Sequence, residues 1–239
     1  LRQFSFEGKA GFIYAGTYDV DALLEDPKYG ITGQLVGCKK EQISEIDRDS
    51  AEELIQVLGD RLIFTNEAVE HIHRLSGDVP YFVQMICKYC GFYAVENKRT
   101  IIGYPELEHV IKILTGEISS SDNSLVKTLP DNVFQNNMFS PADPKEVNVL
   151  ITSIVHFNRE NKEHPRGVSM VELQELWATK KVSAFTAKLA DSIELLTKKR
   201  VLKDAIDEGL PVYTLTVDLF RRWWSIHHPD ISVEIGTIS

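Results

Sequence analysis

The sequence predicts a mainly α chain that ends in a winged helix-turn-helix, and three observations carry that expectation. Apolar residues recur at helical spacing through most of the 239 positions. Glycine, proline and Ser, Thr or Asp caps punctuate those stretches at about a helix length. Toward the C-terminus the order runs helix, helix, helix, hairpin, which is the order of a winged helix.

The elements follow in turn. Gly11-Phe12-Ile13-Tyr14-Ala15-Gly16 is a short apolar run closed by glycine and reads as a buried strand. Ser50 with Glu53 three residues on forms a capping box for a helix bearing Leu54, Ile55, Val57 and Leu58. Thr65 caps a second helix with Ala68, Val69, Ile72 and Leu75, closed by Gly77. Pro80 takes the first position of a long helix carrying Phe82, Val83, Ile86, Tyr89, Phe92 and Tyr93, and Pro105 starts a fourth through Leu107, Val110, Ile111 and Leu114.

Residues 117–140 interrupt this pattern. Ser119-Ser120-Ser121-Asp122-Asn123-Ser124 is small and polar, and only Leu125, Val126, Leu129, Val133 and Phe134 are scattered as apolar anchors, so a linker or hinge is expected here. Beyond it, Asp143-Pro144-Lys145-Glu146 is a helix start ahead of Val147, Leu150, Ile151, Ile154 and Val155. Ser169 with Glu172 is a capping box for a helix holding Leu173, Leu176 and Trp177. Ser183 begins a third helix with Phe185, Leu189, Ile193 and Leu196, ending in Lys198-Lys199-Arg200, where cations suit the helix dipole. Val201–Lys203 and Val212–Thr216 read as a hairpin, and a last helix from Asp218 to Ile226 carries Leu219, Phe220, Trp223 and Trp224.

Composition excludes several classes of function. The net charge of −9 is concentrated in residues 1–140, which hold 13 Lys plus Arg against 21 Asp plus Glu, while residues 141–239 hold 13 against 14. Neither part is a basic nucleic-acid module by bulk charge. No apolar run approaches the roughly 20 residues of a membrane span. The start Leu1-Arg2-Gln3-Phe4 has no signal pattern and reads as a piece of a longer chain. Three cysteines are too few for a disulfide scaffold, so a cytoplasmic location is expected.

Chemistry-bearing motifs are sparse. Glu7-Gly8-Lys9-Ala10-Gly11 has a Gly-Lys but neither the upstream glycine nor the following Ser or Thr of a phosphate-binding loop. Cys87-Lys88-Tyr89-Cys90 lies in a helical pattern with no second pair, and reads as two packed cysteines rather than a metal or redox site. His71 and His73 fall on different faces of one helix, His227-His228 reads as a solvated helix end, and no metal site is expected.

Taken together, Ile13-Tyr14-Ala15-Gly16-Thr17, the stretch Ile46–Ile55, Gly77-Asp78-Val79-Pro80-Tyr81-Phe82-Val83-Gln84 and the C-terminal Tyr213–Trp224 resemble, in order, the STAND class of AAA+-related signalling ATPases. The resemblance implies that residues 1–45 end an α/β ATPase core with its remnant strand, that 46–116 form a helical lid, that 117–140 link, and that 141–239 form the winged helix. It implies a sensor role for Thr17, hydrogen-bonding the γ-phosphate or the attacking water, and nucleotide contact by Gly77 and Pro80 of a GxP-like element with one extra residue. Its plain counterparts are a turn threonine and ordinary helix punctuation. Several relatives carry Met-His-Asp at the end of the wing, where this chain reads Thr216-Val217-Asp218 and supplies no imidazole.

On that resemblance the intact protein is an ATP- and Mg2+-dependent signalling switch. This chain, lacking the P-loop and the Walker B acids, is expected to bind no cofactor and to be inactive alone; its partners would be the ATPase core and a protein partner or a second copy, without a membrane. The alternative is a DNA-binding transcriptional or replication regulator using Lys180, Lys181 and Lys188. Asp191, Glu194, Asp204, Asp207 and Glu208 oppose it, because DNA affinity leans on phosphate neutralisation.

Overall fold

In the computed structural model the described residues are 45–57, 61–135, 138, 143–159, 166–180, 183–207 and 209–228. The chain divides into two compact units, 1–43 and 44–239. The strand expected at 11–16, and Thr17 with it, lies outside the described residues. The described residues of the second unit are mainly helical, with two small sheets among them.

Its first helix, α1 (Arg48–Gln56), begins earlier than the Ser50–Glu53 box suggests. Asp47 is the cap: its carboxylate accepts from the Ser50 backbone N–H at 2.9 Å and from the Ser50 hydroxyl at 2.8 Å. A carboxylate that accepts both bonds also meets the positive end of the helix dipole, which a hydroxyl at 50 cannot do. Strand β1 (Ile63–Phe64) pairs in parallel with β2 (Ile101–Ile102). Between them run α2 (Asn66–Ser76), capped by Thr65 and closed by Gly77, and α3 (Pro80–Glu96), with Pro80 at its start. Helix α4 (Tyr104–Thr115) follows, with Glu106 reaching back to the Gly103 N–H at 3.1 Å.

The short α5 (Asn132–Gln135) precedes α6 (Lys145–Phe157). Here Asp143 does not cap; it pairs with Lys199 at 2.5 Å, and Pro144 occupies the cap position. Strand β3 (Val168–Ser169) leads into α7 (Met170–Thr179), whose Ser169–Glu172 capping box forms as read from the sequence. A 3-10 turn over Ser183–Lys188 precedes α8 (Leu189–Lys198), so only the second half of the expected third helix is α-helical. Strands β4 (Leu202–Asp207) and β5 (Leu210–Leu215) form a hairpin, and β3 adds antiparallel to β5, giving the order β3-β5-β4. The last helix is α9 (Asp218–His227).

Within the expected linker 117–140, the described residues 117–135 and 138 are packed into the fold. Residues from Ile55 to Trp224 share one hydrophobic core, and Val126, Leu129 and Phe134 are wholly buried in it. Phe134 stacks on Phe82 of α3 at 5.8 Å between centroids and meets Phe220 and Trp223 of α9 at 5.3 and 4.8 Å. The polar run is tied as well: Ser124 Oγ donates to Glu96 at 3.0 Å, Lys127 Nζ to the carbonyls of Ser121 and Asp122, and the Leu129 N–H to Leu114 O at 2.8 Å. Few apolar residues suffice when each is large and fully buried, since a buried Phe or Leu contributes about 1.5–3 kcal/mol.

Helix α9 lies against α2, α4 and α6. Two adjacent hydroxyls of α6 receive the deepest tryptophans: Trp224 Nε1 donates to Thr152 Oγ1 at 3.0 Å and Trp177 Nε1 to Ser153 Oγ at 2.8 Å. Each hydroxyl in turn donates to the carbonyl four residues back. Burying an indole leaves its N–H in need of an acceptor, and these hydroxyls supply it. No helix of the described residues is long and apolar enough to cross a membrane.

Candidate functional site

The end of α2 and the start of α9 meet at a groove of about 1080 Å³. One wall is made by α2 and the turn after it. Gly77 adopts φ +58°, its N–H closing on His73 O at 2.9 Å, and Asp78 follows at φ +57° before Pro80 opens α3. The other wall is made by Leu202–Asp204 of β4, Thr214 and Leu215 of β5, Thr216, and Asp218 at the head of α9. Gly77 abuts this wall directly: a Cβ at 77 would stand 2.2 Å from the Thr216 carbonyl oxygen. Only glycine combines the left-handed backbone with that approach.

Charges of both signs line the groove. Most are paired. Arg48 of α1 bonds Glu70, Arg200 bonds Glu45 at 3.2 Å, and Asp218 is held by Arg221 of its own helix. His73 is buried, its Nδ1 2.6 Å from Asp78 Oδ1 and its Nε2 3.8 Å from a Glu52 oxygen.

Behind the α2 wall, a polar network links three helices. Arg74 Nη2 lies 2.6 Å from His71 Nδ1, and because guanidinium only donates, that nitrogen is the acceptor and the ring proton sits on Nε2. From there His71 donates to Glu108 of α4 at 3.1 Å. Arg222 of α9 grips the same carboxylate in a fork at 2.9 and 2.7 Å and donates to Glu117 at 3.0 Å. Burial by itself would raise the Glu108 pKa, but the bonds from His71 and Arg222 and the guanidinium charge bring it down to about 2. The Arg222 side chain is only 6% exposed, and its two carboxylate partners push its pKa up against the effect of burial.

The residues singled out in the sequence are distributed unevenly around this site. Gly77 is in the groove wall; Pro80 starts α3 and is not among the lining residues. Thr17 and Lys181 lie outside the described residues. Lys180 is an exposed residue at the C-terminal cap of α7, and Lys188 precedes α8 and is ion-paired with Glu146 of α6. His71, His73 and Arg74 escaped sequence reasoning as a site, because a helical pattern does not say which polar face meets a distant hairpin. The signal available was a basic cluster one turn before a terminating glycine. Among the described residues no group of three or more His, Cys, Asp or Glu side chains is placed to hold a metal ion. Cys87 and Cys90 are buried free thiols, and burial pushes the pKa of Cys87 up to about 12 and that of Cys90 upward as well.

No family model matches the chain, and no solved structure matches it. Among curated proteins it is similar to a decaprenyl-diphosphate synthase from Dictyostelium discoideum, 26% identical over 109 residues, which are 45% of this chain and 24% of that protein. The chain therefore spans about a quarter of that relative's length, and a likeness of this extent establishes neither fold nor activity.

Proposed function

We propose that residues 44–239 are the lid and winged-helix portion of a STAND-like ATPase switch, and that the groove is the face this portion turns toward nucleotide held by a P-loop core outside these 239 residues. The observation that carries the reading is the meeting of Gly77 and Asp78 with Thr216 and Asp218 along one groove. The resemblance assigns nucleotide contact to Gly77 of this turn, and Thr216-Val217-Asp218 stands where several relatives carry Met-His-Asp, here without the imidazole. The order α6, β3, α7, α8, β4, β5, with its three-stranded antiparallel sheet, supports the winged-helix part of the reading. Val217 is buried, so it is the Thr216 backbone and the Asp218 side chain that the wing end offers to the groove.

In this role the chain by itself hydrolyses nothing, since its sequence holds no phosphate-binding loop of the P-loop kind. It reports occupancy through contacts at the groove. A DNA-binding role is less well supported: Lys188 is already neutralised by Glu146, and Asp204 and Asp207 of β4 are exposed to any approaching phosphate.

The test is an NMR titration of the chain with ADP. Millimolar ADP is expected to move the amide resonances of Gly77, Asp78, Thr216 and Val217 together. Shifts confined to residues away from the groove, or none at these four, would reject the assignment.

A further inference from the structure

Arg74 is anomalous among the groove charges. It is half-buried, yet among the described residues no carboxylate oxygen lies within ion-pair distance of it, and its one hydrogen-bond partner among them is the imidazole Nδ1 of His71. Its Nε–H is buried with no acceptor. Of the groove acids, Glu45, Glu70, Asp78 and Asp218 are engaged by Arg200, Arg48, His73 and Arg221, while Glu67 and Asp204 are exposed and hydrated. The uncompensated half-buried charge in the groove is therefore a cation. A guanidinium taken partly out of water without an anion loses hydration that nothing else replaces.

From these observations we infer that Arg74 is the groove's contact for a phosphoryl oxyanion, and that His71 is its positioning residue. The guanidinium has five N–H groups and one is spent on His71 Nδ1. That bond fixes the plane of the guanidinium and, with Nε buried, leaves the other Nη donors for a bidentate contact, the geometry in which arginine binds phosphate best. His71 can accept from Arg74 only while its proton is on Nε2, and the Glu108 carboxylate, itself held by Arg222, keeps it there. The chain Arg222, Glu108, His71, Arg74 thus ties the Arg74 guanidinium, which lines the groove, to the interior of the fold. On the hairpin side Lys203 also lines the groove, exposed and without an acidic partner among the described residues, and supplies a second, weaker cation.

The inference rests on the proposed nucleotide reading for the source of the phosphate but not for the site itself, so the experiment has separate arms. The chain is titrated with ADP, with inorganic pyrophosphate and with adenosine, following the Arg74 Nε–H resonance. Both phosphates are expected to shift it and adenosine is not. Arg74→Gln is expected to weaken the phosphates by about tenfold or more, with Arg74→Lys intermediate because it keeps charge without the fork. His71→Leu should weaken them similarly, and His71→Gln, whose amide can both accept from Arg74 and donate to Glu108, should restore binding. A purely structural role for His71 would not give this rescue, and the melting temperature of each variant identifies any that fail to fold.

Pyrophosphate shifting Arg74 while ADP does not would support the oxyanion site and remove the nucleotide reading. ADP moving Gly77 and Thr216 with unchanged affinity in Arg74→Gln would overturn the present inference and leave the nucleotide reading in place. No response of Arg74 to either phosphate would overturn it outright.

Discussion

Gly77 and Thr216 meet backbone to backbone, 139 positions apart, with no room between them for a methyl group. The turn that ends α2 is thereby set against the end of the β4–β5 hairpin. Gly77→Ala must both adopt φ near +58° and displace the Thr216 carbonyl. We expect a loss of about 2 kcal/mol or more, since left-handed strain alone is worth about 1–2 kcal/mol. Urea unfolding of the chain measures it, and an unchanged midpoint would mean that the two walls are not in contact.

The tryptophan anchors give a second expectation. Trp224→Ala removes a fully buried indole and should cost about 3–5 kcal/mol. Thr152→Val keeps the shape of the side chain but strips the acceptor from Trp224 Nε1, and should cost about 1–3 kcal/mol. Equal stability of Thr152→Val and the native chain in the same denaturant series would show that the indole finds another acceptor.

A third concerns acid. Glu108 titrates near 2 in the folded chain against an ordinary 4.5, so the unfolded state binds its proton first as pH falls. The stability it contributes is present in full above about pH 4.5 and is lost as pH drops toward 2, and it amounts to roughly 2–3 kcal/mol. Glu108→Gln should flatten the stability profile across that window and leave its slope above pH 6 unchanged. Differential calorimetry between pH 2 and 7 reads both slopes.

The CxxC of α3 is expected to be chemically quiet. With Cys90 wholly buried and both thiols held protonated by burial, a disulfide reagent should react with neither in the folded chain at neutral pH and with both after denaturation. Prompt labelling of the native chain would indicate local opening of α3.

Local punctuation was legible in the sequence: Thr65 and Gly77 bound α2, Pro80 opens α3, and Ser169 with Glu172 opens α7. Each depends on residues within one helical turn. Where two caps compete, the pattern misleads, as when Asp47 outbids Ser50 by presenting a charge to the helix dipole. The packing of the described residues of 117–140 was hidden for a different reason. Val126 and Leu129 lie in a stretch that is neither helix nor strand, so no local period reports their burial, and that of Phe134 rests on Phe82 of α3 and Phe220 and Trp223 of α9, distant in sequence. The candidate site suffered likewise, since Arg74 differs from any surface arginine only in what fails to reach it.

The wedge made by Phe134 between α3 and α9 has a consequence for how groove occupancy can be read. Because both walls belong to one core, separating them unfolds the whole unit, and residues 44–239 should melt in a single cooperative step. A ligand that binds only the folded groove then raises that one transition by RT ln(1 + [L]/Kd), wherever the reporter sits. Trp177, Trp223 and Trp224, buried within this core, become calibrated thermometers of groove occupancy through their intrinsic fluorescence, with no label introduced at the groove itself.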